Sequence, residues 1–249
     1  MQSIKRHLAK QNVIPISLNT LTDIGLKFKT DKVYSDHTFF NKNYMNHYEK
    51  YFEEIRYLPI KFLEIGVLDG ASLRTWREYF PNSEIHGIDI RPECKAQEDL
   101  QNNIHVHIID CSDEDSLNIF KQQYTSYFDV ILDDGSHIND ITLLTFQVLY
   151  HCVKPIGYYI IEDLGTTYIN KDLTKYTVHW PGISHMNNTY EKNDPITILD
   201  LYSQIHSYID NPKATNIIGE ATQKTPYNIE YLHHYTYIVV MRKNEMYKH

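Results

Sequence analysis

The sequence predicts an α/β fold: a doubly wound, mostly parallel sheet with a helical N-terminal extension and a C-terminal antiparallel hairpin. Three observations predict it. Apolar runs recur between residues 61 and 163 at a strand–helix–strand rhythm. Four of the five runs finish in Asp or Glu, and open α/β sheets bind ligands at the carboxyl ends of their strands. Residues 229–235 and 236–242 then read as a closing hairpin.

Each element follows from local pattern. Residues 44–57 place Tyr44, Tyr48, Tyr51, Phe52 and Ile55 at helical spacing. A strand at 61–66 is broken by Gly66 and Gly70, and 72–80 reads as a helix stopped by Pro81. Strands follow at 85–90, closed by Asp89, and at 104–110, closed by Asp110. The strand at 128–134 runs into Asp133 and Asp134. A helix spans 141–153, and a buried strand at 158–163 ends in Glu162 and Asp163. Continuous apolar strands separated by helices indicate a parallel sheet covered on both faces. Beyond Gly165 the pattern loosens: 166–194 reads as a long loop and 196–209 as a helix. With no internal repeat, the chain divides into a helical extension or lid at 1–58 and one domain at 59–249.

Composition excludes several classes. At 249 residues with 42% hydrophobic and 22% charged residues, the chain can bury a substantial core. A net charge of −8 without a Lys/Arg stripe argues against nucleic-acid or anionic-membrane partners. No apolar run is long enough to span a bilayer, and residues 1–10 are basic but lack a signal-peptide core. Cys94, Cys111 and Cys152 show no CxxC spacing and are odd in number, the usage of a reduced, cytoplasmic protein. Homo-oligomerisation through the helical start is compatible with the sequence.

The 64–72 stretch, EIGVLDGAS, is a strand, a glycine turn and a helix start. Leu68 occupies the middle glycine position of GxGxxG, so the dinucleotide reading loses ground, and no P-loop is present. Glu64 before the glycines suits a cofactor whose head group is positively charged. Asp89, about 20 residues further on, is placed to accept from a ribose diol. Asp110, with Cys111 and Ser112, is placed to face an adenine. Singly, each Asp is as readily a helix cap, and Ser112-Asp113 looks like one.

The sharpest constellation is Asp133-Asp134-Gly135-Ser136-His137 together with Glu162-Asp163. On adjacent strands these acids converge, and with no Lys or Arg near them in sequence they would repel. A hard divalent cation such as Mg²⁺ removes the conflict, since oxygen ligands favour it. Strand alternation lets one of the paired aspartates ligate: Asp134, with Asp133 on the cofactor side. Glu162 and Asp163 can both ligate only if the strand has turned. His137, three residues past Asp134, is placed either as a general base toward a metal-activated hydroxyl or as a fourth ligand.

The order ExGxxxGxS, Asp89, Asp110 resembles motifs I to III of class I S-adenosylmethionine-dependent methyltransferases, which have a Rossmann-like fold. The resemblance implies that Glu64, Gly66 and Ser72 line the methionine and ribose, that Asp89 and Ile90 hold the ribose side, and that Asp110 with Cys111 and Ser112 faces the adenine. More narrowly, LEIGVLDGASLRTWREYF (63–80), DVILDDGSHIN (129–139) and IGYYIIEDLGTT (156–167) resemble the macrocin- and mycinamicin-type sugar O-methyltransferases, and distantly the cephalosporin-hydroxylase-like proteins. That resemblance implies Mg²⁺ ligands at Asp134, Glu162 and Asp163, a base at His137, cofactor contacts from Lys32 and Tyr44, and a sugar-containing small-molecule acceptor. In the family a His and a Tyr closely follow the TDK stretch; here 33–42 intervene before Tyr44. The segment 166–216 is then an acceptor-binding insertion, with Tyr168, His179 and Trp180 as candidate pocket residues.

The alternatives differ in chemistry. An oxygenase would want two His and a carboxylate, whereas the strand ends supply carboxylates. Methylation of a phosphorylated small molecule at nitrogen needs no metal. An interaction module with a lapsed site sits poorly with the complete acidic set.

Overall fold

Alternating apolar residues build the first strand, β1 (Lys61–Ile65), whose Phe62 faces one side of the sheet and Leu63 the other. The computed structural model describes residues 19–33, 43–164, 175–178, 188–191, 228–235 and 237–245. In it, β1 to β5 run parallel: β2 (Glu84–Asp89), β3 (Ile104–Ile108), β4 (Phe128–Asp133) and β5 (Val153–Ile161). Two short strands, β6 (Lys175–Val178) and β7 (Asn188–Glu191), pair antiparallel with each other. The chain closes with β8 (Ile229–Tyr235) and β9 (Ile238–Lys243), and β9 lies antiparallel to β5. The sheet order is β3-β2-β1-β4-β5-β9-β8. This is the Rossmann-like, doubly wound arrangement read from the sequence.

The order reverses between β1 and β4, and that switch point opens a crevice beyond their carboxyl ends. Both faces are covered. One carries α1 (Leu21–Phe28), α2 (Met45–Phe52) and α3 (Ala71–Tyr79), whose Leu21, Ile24, Met45, Tyr48, Phe52 and Trp76 share a core with Phe62, Val130, Leu132 and Ile160. The other carries α4 (Glu114–Tyr124) and α5 (Asn139–Leu149), packed through Leu117, Phe120, Phe146 and Leu149 on Leu63, Ile65, Ile131 and Tyr159. Caps set the helix starts. Thr20 and Asp23 close a capping box on α1, and the Asp113 carboxylate accepts from the Asp115 amide at 3.1 Å at the start of α4.

Three expectations are corrected. The helix predicted over 141–153 ends at Leu149, and β5 starts at Val153 rather than at 158. The apolar run continues through the boundary and hides it; a register shift between Phe128 and Val130 and a left-handed Ile156 (φ 60°) absorb the extra strand residues. The loop predicted over 166–194 contains the β6–β7 pair. The helix predicted at 196–209, and Tyr168, His179 and Trp180, lie outside the described residues. Among the described residues no helix is long and apolar enough to cross a membrane, and Cys94, Cys111 and Cys152 are unbridged.

Candidate active site

The site forms where β1, β4 and β5 end. Backbone pairing continues one residue past the strands: the Asp134 amide donates to Ile65 O at 3.0 Å, and the Glu162 amide donates to Asp133 O at 2.9 Å. Alternation then decides which way each acid points. Asp133 falls on the face of Ile131 and Tyr159, where its Oδ2 accepts from the Tyr159 hydroxyl at 3.3 Å. Asp134, Glu64 and Glu162 fall on the opposite face, toward α2.

A lysine meets them there. Lys32 is 3% exposed, Glu162 2% and Glu64 0%. Lys32 Nζ donates to Asp134 Oδ2 and to Glu162 Oε2, the latter at 2.8 Å, and lies 3.2 Å from Glu64 Oε1. No Lys or Arg lies near these acids in sequence, but Lys32 is adjacent to them in space, so part of the expected repulsion is relieved without a metal. Burial disfavours its ammonium, yet Asp134, Glu162 and Glu64 outweigh it and hold the pKa well above the ordinary lysine value. One ammonium does not neutralise the acids. Burial pushes Glu64 and Asp133 each up to about 7, against the pull of Lys32 on the first and of the Gly135 amide on the second.

Glu162 has both oxygens engaged, Oε2 by Lys32 and Oε1 by the Tyr48 hydroxyl. Asp163 departs from the strand. Its φ of 53° is left-handed, which breaks the alternation and lets its carboxylate reach the Asp134 side, where it accepts from the Tyr44 hydroxyl at 2.5 Å. His137 is likewise left-handed, with φ 55°. That conformation carries Nε2 back to 3.6 Å from Asp134 Oδ1. Asp134, His137 and Asp163 each place one ligand atom within 4.8 Å of the others. Opposite ligands of an octahedral Mg²⁺ lie about 4.2 Å apart, so small side-chain shifts would close this set on a cation. Its two carboxylates and one imidazole fit a divalent ion, and backbone strain concentrated at two of the three residues is usual for a functional site.

Gly66 joins this set to the glycine turn. It has φ 94°, and a Cβ there would lie 2.2 Å from Asp134 O. The turn is held by Asp89, whose Oδ2 accepts from the Val67 and Leu68 amides at 2.9 and 3.1 Å. Arg91 also binds Asp89, Nε to Oδ1 at 3.0 Å and a terminal nitrogen to Oδ2 at 2.9 Å. Burial raises the Asp89 carboxyl, but these hydrogen bonds outweigh it and hold it well below the usual range. Ile90 beside it is 54% exposed at the crevice. Asp110 accepts from the Ser112 amide and hydroxyl at 2.8 and 2.6 Å. Burial pushes the neighbouring Cys111 thiol up to about 12, so it stays protonated.

The residues also fit a positively charged cofactor head. Glu64 Oε2 accepts from the Ser72 hydroxyl at 2.6 Å and from Trp76 Nε1 at 3.1 Å, while Oε1 is buried without a well-formed hydrogen bond. The Lys32 ammonium 3.2 Å from Oε1 compensates part of this charge, and a cationic cofactor head would share that oxygen. Sequence reasoning missed Tyr48 as a polar residue. Its spacing of four from Tyr44, at the start of a helix facing the acids, was the available signal.

No protein-family model matches the chain. It is 33% identical to demethylmacrocin O-methyltransferase of Streptomyces fradiae over 65% of this chain and 38% of that protein. It is 29% identical to mycinamicin VI 2''-O-methyltransferase of Micromonospora griseorubida over 79% of this chain and 47% of that protein. The chain resembles the macrocin- and mycinamicin-type sugar O-methyltransferases. The structure of MycE methyltransferase from the mycinamycin biosynthetic pathway, in complex with Mg and SAH, aligns with 92% of this chain and 56% of its own at 27% identity and TM-score 0.70. The chain thus spans less than half the length of these curated relatives.

Proposed function

We propose that this chain is an S-adenosylmethionine-dependent O-methyltransferase that uses a divalent cation, preferentially Mg²⁺, to methylate a hydroxyl of a sugar-containing small molecule. One observation carries the reading: Asp134, His137 and Asp163 converge on a common point directly beside the glycine turn. The crystallised relative MycE is described in complex with Mg, SAH and mycinamycin VI, which supports the same pairing of cofactor, metal and glycosylated acceptor here.

When bound, S-adenosylmethionine supplies an electrophilic methyl group and the cation supplies Lewis acidity toward the acceptor hydroxyl. Asp134 and Asp163 would hold the cation. Glu162 acts behind them, fixing Lys32 and Tyr48, and becomes a ligand only by exchanging those partners. His137 takes the hydroxyl proton, and the Asp134 carboxylate at 3.6 Å stabilises the imidazolium that results. Asp89 would hold the ribose diol in place of Arg91. Gly66 lets the backbone approach the cofactor, and Glu64 meets its positive end.

The test is a panel of sugar nucleotides and glycosylated small molecules, scored by S-adenosylhomocysteine formation with Mg²⁺ or with excess chelator. The proposal expects turnover of a hydroxyl acceptor that chelator abolishes. Equal turnover in chelator, or turnover confined to amine acceptors, contradicts it.

A further inference from the structure

Near the starts of β2 and β3, Glu84, His86 and His105 gather, and His107, one residue from the end of β3, joins their rings to make a stack of three imidazoles. Alternation puts Glu84 and His86 on one face of β2, and the register pairs His86 with His105. The His86 ring lies over His105 at 4.7 Å and over His107 at 5.3 Å between centroids. His86 Nε2 is 2.6 Å from Glu84 Oε1, and its Nδ1 is 3.0 Å from His107 Nε2. One ligand atom from each of Glu84, His86 and His105 falls within 4.8 Å of the others.

We propose that Glu84, His86 and His105 form a second, independent metal site that binds Zn²⁺, with water completing the tetrahedron. Two imidazoles and one carboxylate suit Zn²⁺, where the active-site set is richer in oxygen. Lys61 holds Glu84 Oε2, while Oε1 accepts from the Tyr127 hydroxyl at 2.7 Å and faces His86 Nε2 at 2.6 Å, so a cation enters by taking the place of the His86 contact on Oε1.

For His86 to bind through Nε2, its ring proton must sit on Nδ1 and donate to His107 Nε2, with the proton of His107 on its own Nδ1. This is the outer hydrogen bond that orients metal-bound imidazoles. The site would pin β3, the edge strand, to β2 at an end where neither reaches the catalytic crevice.

Isothermal titration of the metal-free full chain with Zn²⁺, in saturating Mg²⁺, tests this. The site predicts a Zn²⁺ equivalent that persists in Asp134→Asn, weakens at least tenfold in both His105→Ala and Glu84→Gln, and returns in His105→Cys. His105 is partly exposed, so its replacement leaves the core intact, and circular dichroism checks the fold of each variant. Absence of a Zn²⁺ equivalent surviving Asp134→Asn, or unchanged affinity in His105→Ala and Glu84→Gln, overturns the proposal. Because the variants lie at opposite ends of the sheet, failure here and failure of the methyltransferase reading are separable.

Discussion

Lys32 Nζ donates to Glu162 Oε2 at 2.8 Å, across 130 residues of sequence, and ties the N-terminal segment to the end of β5. Replacing this ammonium leaves buried carboxylates uncompensated. Lys32→Met should destabilise the fold by about 3–5 kcal/mol, read as a lower urea midpoint. Combining it with Glu162→Gln should recover part of that loss. An unchanged midpoint in Lys32→Met would show that the acids are already neutral in the native protein.

His137 is assigned proton transfer rather than binding. His137→Asn should lower kcat by about 10²–10⁴-fold and leave the dissociation constant for S-adenosylmethionine unchanged by calorimetry. Loss of metal binding together with kcat would move His137 from base to ligand.

Gly66 allows the turn and the Asp134 loop to touch. With a Cβ only 2.2 Å from Asp134 O and φ at 94°, Gly66→Ala must displace one of them. It should cost about 1–3 kcal/mol of stability and weaken both cofactor and metal binding in the same titrations. Retention of either at wild-type affinity would uncouple the two halves of the site.

Acid should weaken the metal-free protein through its buried histidines. Burial depresses His107 from 6.5 to about 4, with His86 and Lys95 adding to the effect, and His151 is lowered by its own burial. A base whose folded pKa is depressed binds its proton more readily in the unfolded chain. The stability these histidines contribute is therefore fully present above about pH 6.5 and lost as pH drops toward 4, while Glu64 and Asp133, raised to about 7, act in the opposite sense over that window. Thermal melts across that window in chelator should show His107→Gln gaining Tm relative to the wild type as pH falls; a difference that does not change with pH would contradict this.

The fold was legible because its signals are local. The glycine turn, the acidic strand ends and the closing hairpin each announce themselves within about ten residues, where periodicity is reliable. The opposite orientations of Asp133 and Asp134 follow from alternation alone. What lay hidden depends on contacts across the chain. Lys32 reaches Asp134 over 102 residues, and no periodicity reports such a pairing. Tyr48 reads as one more apolar helix residue until the helix is seen to face Glu162. The alternation of His105 and His107 was visible, but His86 joins them only once β2 is known to pair with β3. The left-handed backbone at His137 and Asp163, which brings both side chains to Asp134, has no sequence signature of the kind glycine provides.

The proposed chemistry requires one divalent cation held by Asp134 and Asp163 beside the cofactor turn. Mn²⁺ titration followed by electron paramagnetic resonance, with S-adenosylhomocysteine present, measures this without knowledge of the acceptor. The wild-type chain should bind a Mn²⁺ equivalent that disappears in Asp134→Asn and in Asp163→Asn while S-adenosylhomocysteine still binds. Identical Mn²⁺ binding in all three proteins would contradict it.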